Sequence, residues 1–216
     1  MRTLGFTMKK LLKNRSLFLF ISLISLTAFL LIAYLKNNFA IIDANVNAWS
    51  STIHSLPLTL IALVIQYAFD TTSLFVSSLL IAAYLLSKKY NKDAFVLAGV
   101  MLIDVLVITA IKTTIHSARP FNGIITEEGF SFPSGHVTSS IVLFGLLAYF
   151  AWKYWKSTNV KIFTSFFFIL IALVVGFDRI YLNVHWLSDV LGAYALGVFL
   201  LSSSVLALQH FEKSRH

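Results

Sequence analysis

The sequence contains no cysteine, which excludes disulfide bonds and thiolate metal sites together. Charge is also scarce: 12% of residues are Asp, Glu, Lys or Arg, against about 25% in a soluble globular domain. No polar linker of any length interrupts the 216 residues, so a single domain over residues 1–216 is expected. No small-residue cleavage site follows the first apolar run, which therefore reads as a retained helix and not as a secretion signal. What is present instead is apolar: 58% of the residues, with a mean hydropathy of +0.82. The expected solvent is the bilayer.

Ser16 to Leu35 is an uncharged run of 20 residues between Arg15 and Lys36, about the length that crosses a ~30 Å hydrocarbon core. Further runs cover Thr71–Ser87, Ala94–Ile111, Val137–Trp152, Ile162–Phe177 and Trp186–Leu208. The expected fold is therefore all-α, an integral membrane bundle of six transmembrane helices. Pro57 to Leu86 is too long for one span, since at ~1.5 Å per residue it would reach about 45 Å. Asp70-Thr71-Thr72 reads as an N-cap, which splits that stretch into a short apolar segment ending at Phe69 and a span beginning at Thr71. Ahead of it, Ile42, Val46, Trp49, Ile53 and Leu56 recur at intervals of four and three. That stripe suits an amphipathic helix lying in the interface between spans one and two; an ordinary loop is the alternative.

The net charge of +8 raises the possibility of nucleic acid, but the positions of the cations argue for topology. Arg2, Lys9, Lys10, Lys13 and Arg15 precede span one; Lys88, Lys89 and Lys92 lie between spans two and three. Lys153, Lys156 and Lys161 lie between four and five, and Lys213 and Arg215 follow six. With six crossings these cations share one side, which the positive-inside rule makes cytoplasmic, along with both termini. The expected location is a membrane bordering the cytoplasm. Lys36, Lys112, Arg119 and Arg179 remain for the other side.

Three of those four belong to a pattern. Span three ends in Lys112-Thr-Thr-Ile-His-Ser-Ala-Arg119-Pro120, and span four opens with Pro133-Ser134-Gly135-His136. Span five ends at Asp178-Arg179, and His185-Trp186-Leu187-Ser188-Asp189 opens span six. Ionisable groups gathered at one membrane depth are a functional-site hypothesis by default. Lys112 and Arg119, seven apart, fall two turns apart on one helical face, and two cations without an acid between them want an anion. Snorkelling at a helix end is the bland reading of the same pair. Pro133 suits the first helical position, leaving the Ser134, Gly135 and His136 amides free at a helix N-terminus, where anions bind. A mere cap would look the same. His185 and Asp189, four apart, are neighbours on one helix face; the carboxylate would fix the ring tautomer and free the other nitrogen to attack. A structural polar contact is the alternative. Arg179 and His185 can meet one ligand only if the chain turns near Asn183.

Taken together, these residues resemble the type 2 phosphatidic acid phosphatase superfamily, which vanadium haloperoxidases and bacterial acid phosphatases share. Its signature runs Lys-x6-Arg-Pro, Pro-Ser-Gly-His, then Ser-Arg-x5-His-x3-Asp, and every spacing matches. The one departure is Asp178 where the family has Ser. The resemblance implies a membrane lipid phosphatase of the phosphatidylglycerophosphatase or undecaprenyl-diphosphatase type. In it Lys112, Arg119, Arg179, Ser134 and Gly135 hold phosphate, His185 is the nucleophile and Asp189 orients it. His136 is the general acid, at a helix N-terminus whose dipole favours proton donation. It implies no metal and no cofactor, a lipid phosphate substrate, no nucleic acid and no protein partner. Phosphatidylglycerol phosphate, phosphatidic acid and undecaprenyl diphosphate all qualify as substrate.

A phosphoryl or headgroup transferase on the same scaffold is the nearest alternative. A transporter is less well supported, since no inverted repeat or midplane helix break is visible. A zinc hydrolase using His116, His136, His185 and Asp189 would place the metal among three cations. Outside the motifs, Asp104 is expected to be structural, and His54, Glu127 and Glu128 solvated. His116 and Trp186 are expected at the interface, and Phe166–Phe168 in lipid or in bundle packing.

Overall fold

The computed structural model describes residue 12 and residues 14–213; Arg2, Lys9, Lys10, Lys13 and Arg215 lie outside them. Every element among the described residues is helical: α1 (Arg15–Tyr34), a 3-10 turn (Lys36–Phe39), α2 (Ala40–Thr52), α3 (Leu56–Ala68), α4 (Thr71–Ser87), α5 (Asn91–Ile115), α6 (Gly135–Tyr154), α7 (Thr158–Tyr181) and α8 (Leu187–Lys213). Within lipid a helix satisfies its own amides and carbonyls, so apolar runs of this length have little other choice.

Helices α1, α5, α6, α7 and α8 are each long and apolar enough to cross a membrane. The sixth crossing is broken. Helix α4 has 17 residues, about 26 Å at ~1.5 Å per residue, and α3 meets it at a bend of 50°. Asp70 makes the break, its carboxylate accepting from the Thr72 amide at 2.9 Å as the N-cap of α4. The expected start of span two is therefore found, with a helix where a short apolar segment was expected before it.

Helix α2 occupies the position of the expected amphipathic helix and turns its polar side inward. Asp43 and Ser50 are buried, while Ile41, Ile42 and Trp49 are exposed. Ser50 donates to the Ile180 carbonyl at 2.8 Å. An apolar face left outside the protein is what a helix resting on lipid requires.

Helix α6 is the hub. Two thirds of its span is buried within the protein (67%), against 17% for α1 and 22% for α7. Its Val142, Leu143 and Leu146 pack with Leu97 and Met101 of α5 and Leu196 and Leu200 of α8. Helices in lipid gain little from apolar burial alone and rely on close fit and small residues. At the α6–α8 seam a Cβ on Gly197 would lie 2.9 Å from Ile141 Cβ, and one on Gly145 would lie 2.3 Å from Leu201 Cδ2. The outer surface is apolar in turn, with Phe163, Phe166, Phe167 and Leu173 of α7 exposed; Phe168 instead packs on Phe144.

One end of the bundle gathers the lysine-rich connections. Lys153 pairs with Asp93 at 2.8 Å, Tyr154 donates to the same carboxylate, and the Tyr90 and Tyr154 rings sit 4.2 Å apart. The motif residues lie at the opposite end. A cavity of about 400 Å³ among α6, α7 and α8, lined by Phe144, Tyr149, Phe168 and Leu201, contains none of them. The cavity that does, about 150 Å³, is lined by Arg119, Glu127 and Asn183 among others.

Because α6 carries His136 and α8 carries Asp189, the seam between them sets the site. Gly197→Val should force the helices apart and lower stability by about 1–3 kcal/mol, read as a lower melting temperature in detergent.

Candidate active site

Four chain segments build the site. Helix α5 ends at Ile115, and His116 takes a left-handed conformation (φ 53°) that stops it. Lys112 therefore lies in the last turn of α5 while Arg119 lies beyond the helix, which corrects the expectation that both share one helical face. The loop brings them to the same end. It is pinned by the Trp186 indole donating to the Ala118 carbonyl (2.8 Å) and by the Ser131 amide donating to the Ser117 carbonyl (2.8 Å). Trp186 is thus a brace rather than only an interfacial aromatic.

Arg119 is held by backbone. Its Nη1 donates to the Val184 carbonyl (2.8 Å) and its Nε to the Gly129 carbonyl (3.1 Å), which leaves Nη1 3.2 Å from His185 Nε2. Lys112 forms no ion pair among the described residues; the charges acting on it are Arg119, Glu127 and Asp189.

Helix α6 begins two residues later than expected. Gly135 is its first residue and Ser134, with extended φ −70° and ψ 115°, is its N-cap, so Pro133 precedes the helix instead of occupying its first position. The Phe132–Pro133 peptide is cis. The Ser134 amide is not free, since it donates to the Asp189 carbonyl at 3.4 Å, and the open first-turn amides are those of Gly135 and His136. The Ser134 hydroxyl is buried with no hydrogen-bond partner among the described residues. A Cβ on Gly135 would lie 2.7 Å from Thr71 Oγ1, so the head of α4 can approach only a glycine. His136 Nε2 stands 3.7 Å from the Asp70 carboxylate.

Arg179, in the last turn of α7, is wholly buried. Its guanidinium pairs with Asp178 and donates to the Gln66 side chain and to Glu127 at 3.0 Å. Asp178 thus pairs with its own neighbour. The chain then turns at Asn183 (φ 53°), as the spacing of Arg179 and His185 requires.

His185 lies before α8, so it and Asp189 do not share a helix face as expected. The cap brings them together: Asp189 reaches back to accept from the Trp186 amide at 2.9 Å, half of a capping box. The same Oδ2 lies 3.4 Å from His185 Nδ1. Its other oxygen pairs with Lys36 at 2.7 Å, a cation that belongs to none of the motifs.

A residue that sequence reasoning missed is Glu127. Expected in solvent, its carboxylate is half-buried among the cations, 2.8 Å from Arg119, 3.0 Å from Arg179 and 3.8 Å from His185 Nε2. Burial would raise its pKa, but His185, His136, Arg119 and Arg179 together hold it down at about 2. Nothing in its neighbours along the chain signals this, because Arg179 and His185 lie on distant segments and Arg119 is brought round by the loop itself. Glu128 is exposed as expected. His54 is not free but contacts the Tyr181 carbonyl at 2.8 Å. His116 is exposed, edge-on to Phe130. Asp104 is fully buried and accepts from Ser139 at 2.5 Å, in agreement with a structural role. Among the described residues no group of three or more His, Asp or Glu side chains is arranged to hold a metal ion.

Two guanidinium groups, a buried serine hydroxyl with no hydrogen-bond partner among the described residues and a histidine–carboxylate couple thus gather at one end of a helical membrane bundle. The family model described as the PAP2 superfamily matches residues 93–213, and the chain belongs to that superfamily. It is 35% identical over 111 residues to phosphatidylglycerophosphatase B of Bacillus subtilis (strain 168), a match covering 50% of this chain and 54% of that protein. The match thus spans about half the length of that curated relative. The fold is similar to the crystal structure of the first transmembrane PAP2 type phosphatidylglycerolphosphate phosphatase from Bacillus subtilis. The TM-score is 0.81 with 25% sequence identity, over 90% of this chain and 97% of that one.

His185 is buried, and burial above all, with Arg119 adding to it and Asp189 opposing, lowers its pKa from 6.5 to about 4. Between those values the unfolded chain binds a proton that the folded protein does not, so stability from this group falls as pH drops through that window. An NMR titration of the His185 ring should find it neutral until the pH approaches about 4.

Proposed function

We propose that the protein is a lipid phosphate phosphatase working through a phosphohistidine. One observation carries the reading: the Glu127 carboxylate is held between Arg119 and Arg179, facing His185 Nε2. An oxyanion therefore already sits where a phosphoryl group would have to sit for in-line attack. Arg119 and Arg179 offer planar donor forks to phosphate oxygens. Lys112, the Ser134 hydroxyl and the Gly135 and His136 amides complete the cradle, a preorganised set of donors for charge on the transferring group.

With Asp189 at Nδ1, the His185 Nε2 lone pair attacks phosphorus while His136 donates a proton to the departing lipid oxygen. A water molecule, losing its proton to His136, then attacks the phosphohistidine and returns His185 and inorganic phosphate. No metal or cofactor is required, because the cradle is cationic through its side chains. Glu127 must leave before substrate can enter.

Tails that stay in the bilayer suit a lipid substrate, and the names of the relatives put phosphatidylglycerol phosphate ahead of phosphatidic acid and undecaprenyl diphosphate. The lysine-rich end is assigned to the cytoplasm by the positive-inside rule, which puts the site on the extracytoplasmic face of a bacterial plasma membrane. The native chain has no cysteine, so single cysteines test this directly. Glu128→Cys should react with an impermeant maleimide on intact cells, and Lys88→Cys only after permeabilisation; the reverse pattern would overturn the assignment.

Purified protein in detergent with excess chelator should release phosphate from at least one of the three lipids. His185→Ala should form no phosphoenzyme, and His136→Ala should lose about 10²–10⁴-fold in turnover. Lipid consumed without phosphate released would favour the transferase. Glu127→Gln should lower KM by about tenfold, the equivalent of one charge-assisted contact no longer to be displaced. An unchanged or higher KM would show that Glu127 does not compete with substrate.

A further inference from the structure

Lys36 belongs to no motif, yet it is the most closely engaged cation of the nucleophile couple. It lies in the 3-10 turn Lys36–Phe39 after α1, and its side chain is 12% exposed. Its Nζ sits 2.7 Å from Asp189 Oδ1 and donates to Ser188 Oγ at 2.7 Å, over the Phe132 ring. Asp43 of α2 completes the arrangement. It accepts from the Ser188 amide at 2.9 Å and the Ser188 hydroxyl at 2.6 Å, and lies 3.9 Å from Lys36. The segment between spans one and two therefore grips the first turn of α8 from the side opposite His185.

We infer that Lys36 is a positioning residue for the His185–Asp189 couple, holding one carboxylate oxygen so that the other faces His185 Nδ1. This rests on the proposal that His185 is the nucleophile. The physical reason lies in the division of labour at Asp189, whose side chain is entirely buried. Oδ2 accepts from the Trp186 amide and faces the histidine; Oδ1 has Lys36. A buried carboxylate oxygen without a partner is costly, and the group would relieve that cost by rotating or by taking a proton. Either change removes the acceptor that keeps the proton on His185 Nδ1 and the lone pair on Nε2. Lys36 also moderates the carboxylate, so that it orients the imidazole without removing its proton. The contacts place Lys36 behind Asp189, away from the Arg119–Arg179 cradle, so its effect should fall on attack and not on phosphate binding.

The test uses full-length protein in detergent and a lipid phosphate that the native enzyme hydrolyses, with His185→Ala alongside. Lys36→Met should lower kcat and the rate of phosphoenzyme formation by about 100-fold, the scale of a misplaced reacting group. KM and the inhibition constant for inorganic phosphate should stay within about twofold on the same argument. Asp43→Asn, which loosens the grip while keeping the cation, should give a smaller loss with the same split. It also serves if Lys36→Met does not fold. A folded Lys36→Met enzyme with native kcat would overturn the inference, as would KM and phosphate inhibition weakening in step with kcat. Phosphoenzyme persisting in His185→Ala would instead sink the nucleophile assignment itself, a result independent of Lys36.

Discussion

Like charges brought together at the edge of a membrane need an anion, and the structure at this end is organised around that need. Arg119 and Arg179 converge on one point from different segments, and the Glu127 carboxylate occupies it. Two guanidinium groups this close and this buried would repel at considerable cost without it, because the low local dielectric strengthens repulsion as much as attraction. Three chain elements are drawn to this point: the α5–α6 loop, the end of α7 and the turn before α8. The same constraint explains why a substrate phosphate could be held without a metal, since the positive field is already paid for by the fold.

The bundle supplies geometry through helix ends. Helix α6 is central because it is surrounded by α5, α7 and α8, and its first turn presents Ser134, Gly135 and His136 to the site. Helix α8 begins beside it, and the Ser134 amide donating to the Asp189 carbonyl ties the two N-termini together. Open amides and the positive ends of two helix dipoles thus meet at one place. The glycines of the α6–α8 seam fix how near those ends lie. Packing at the midplane and chemistry at the rim are consequently coupled.

Much of this was legible in the sequence, and the failures have definite causes. Span positions followed from apolar run length, because lipid leaves the backbone few alternatives. The residues of the site followed from motif spacing, but the local geometry inferred from that spacing did not. Lys112 and Arg119 were placed on one helix, whereas a left-handed His116 ends α5 between them. His185 and Asp189 were placed on one helix face, whereas a cap joins them across the start of α8. A spacing of seven or four has several conformational solutions, and helix periodicity is only one. Glu127 and Lys36 carry no local signal because Arg179 and His185, which hold the one, and Ser188 and Asp189, which hold the other, lie far away along the chain. Lys36 lies 152 positions from Ser188, and no local pattern can encode such a contact. One signal was available: a lone outer cation left over once every other had been assigned.

Asp178 can be weighed with the same electrostatics. In the cradle, Lys112, Arg119 and Arg179 face Glu127 and Asp178, so with all five ionised the cations outnumber the carboxylates by one while Glu127 is in place. Displacing Glu127 raises that excess to two positive charges. With the serine that the family pattern has at 178, the same displacement would leave three. The acid therefore weakens the field felt by any bound anion, and it does so through Arg179, the cation most deeply buried. On the proposed mechanism, substrate, phosphohistidine and inorganic phosphate would all sit in that field. Weakening it would cost affinity for each, but a lipid substrate would keep the hold of the bilayer on its tails, whereas free phosphate would have nothing else to retain it. Asp178 would then act chiefly on the release of product, which would let an acid stand beside Arg179 without abolishing phosphate binding.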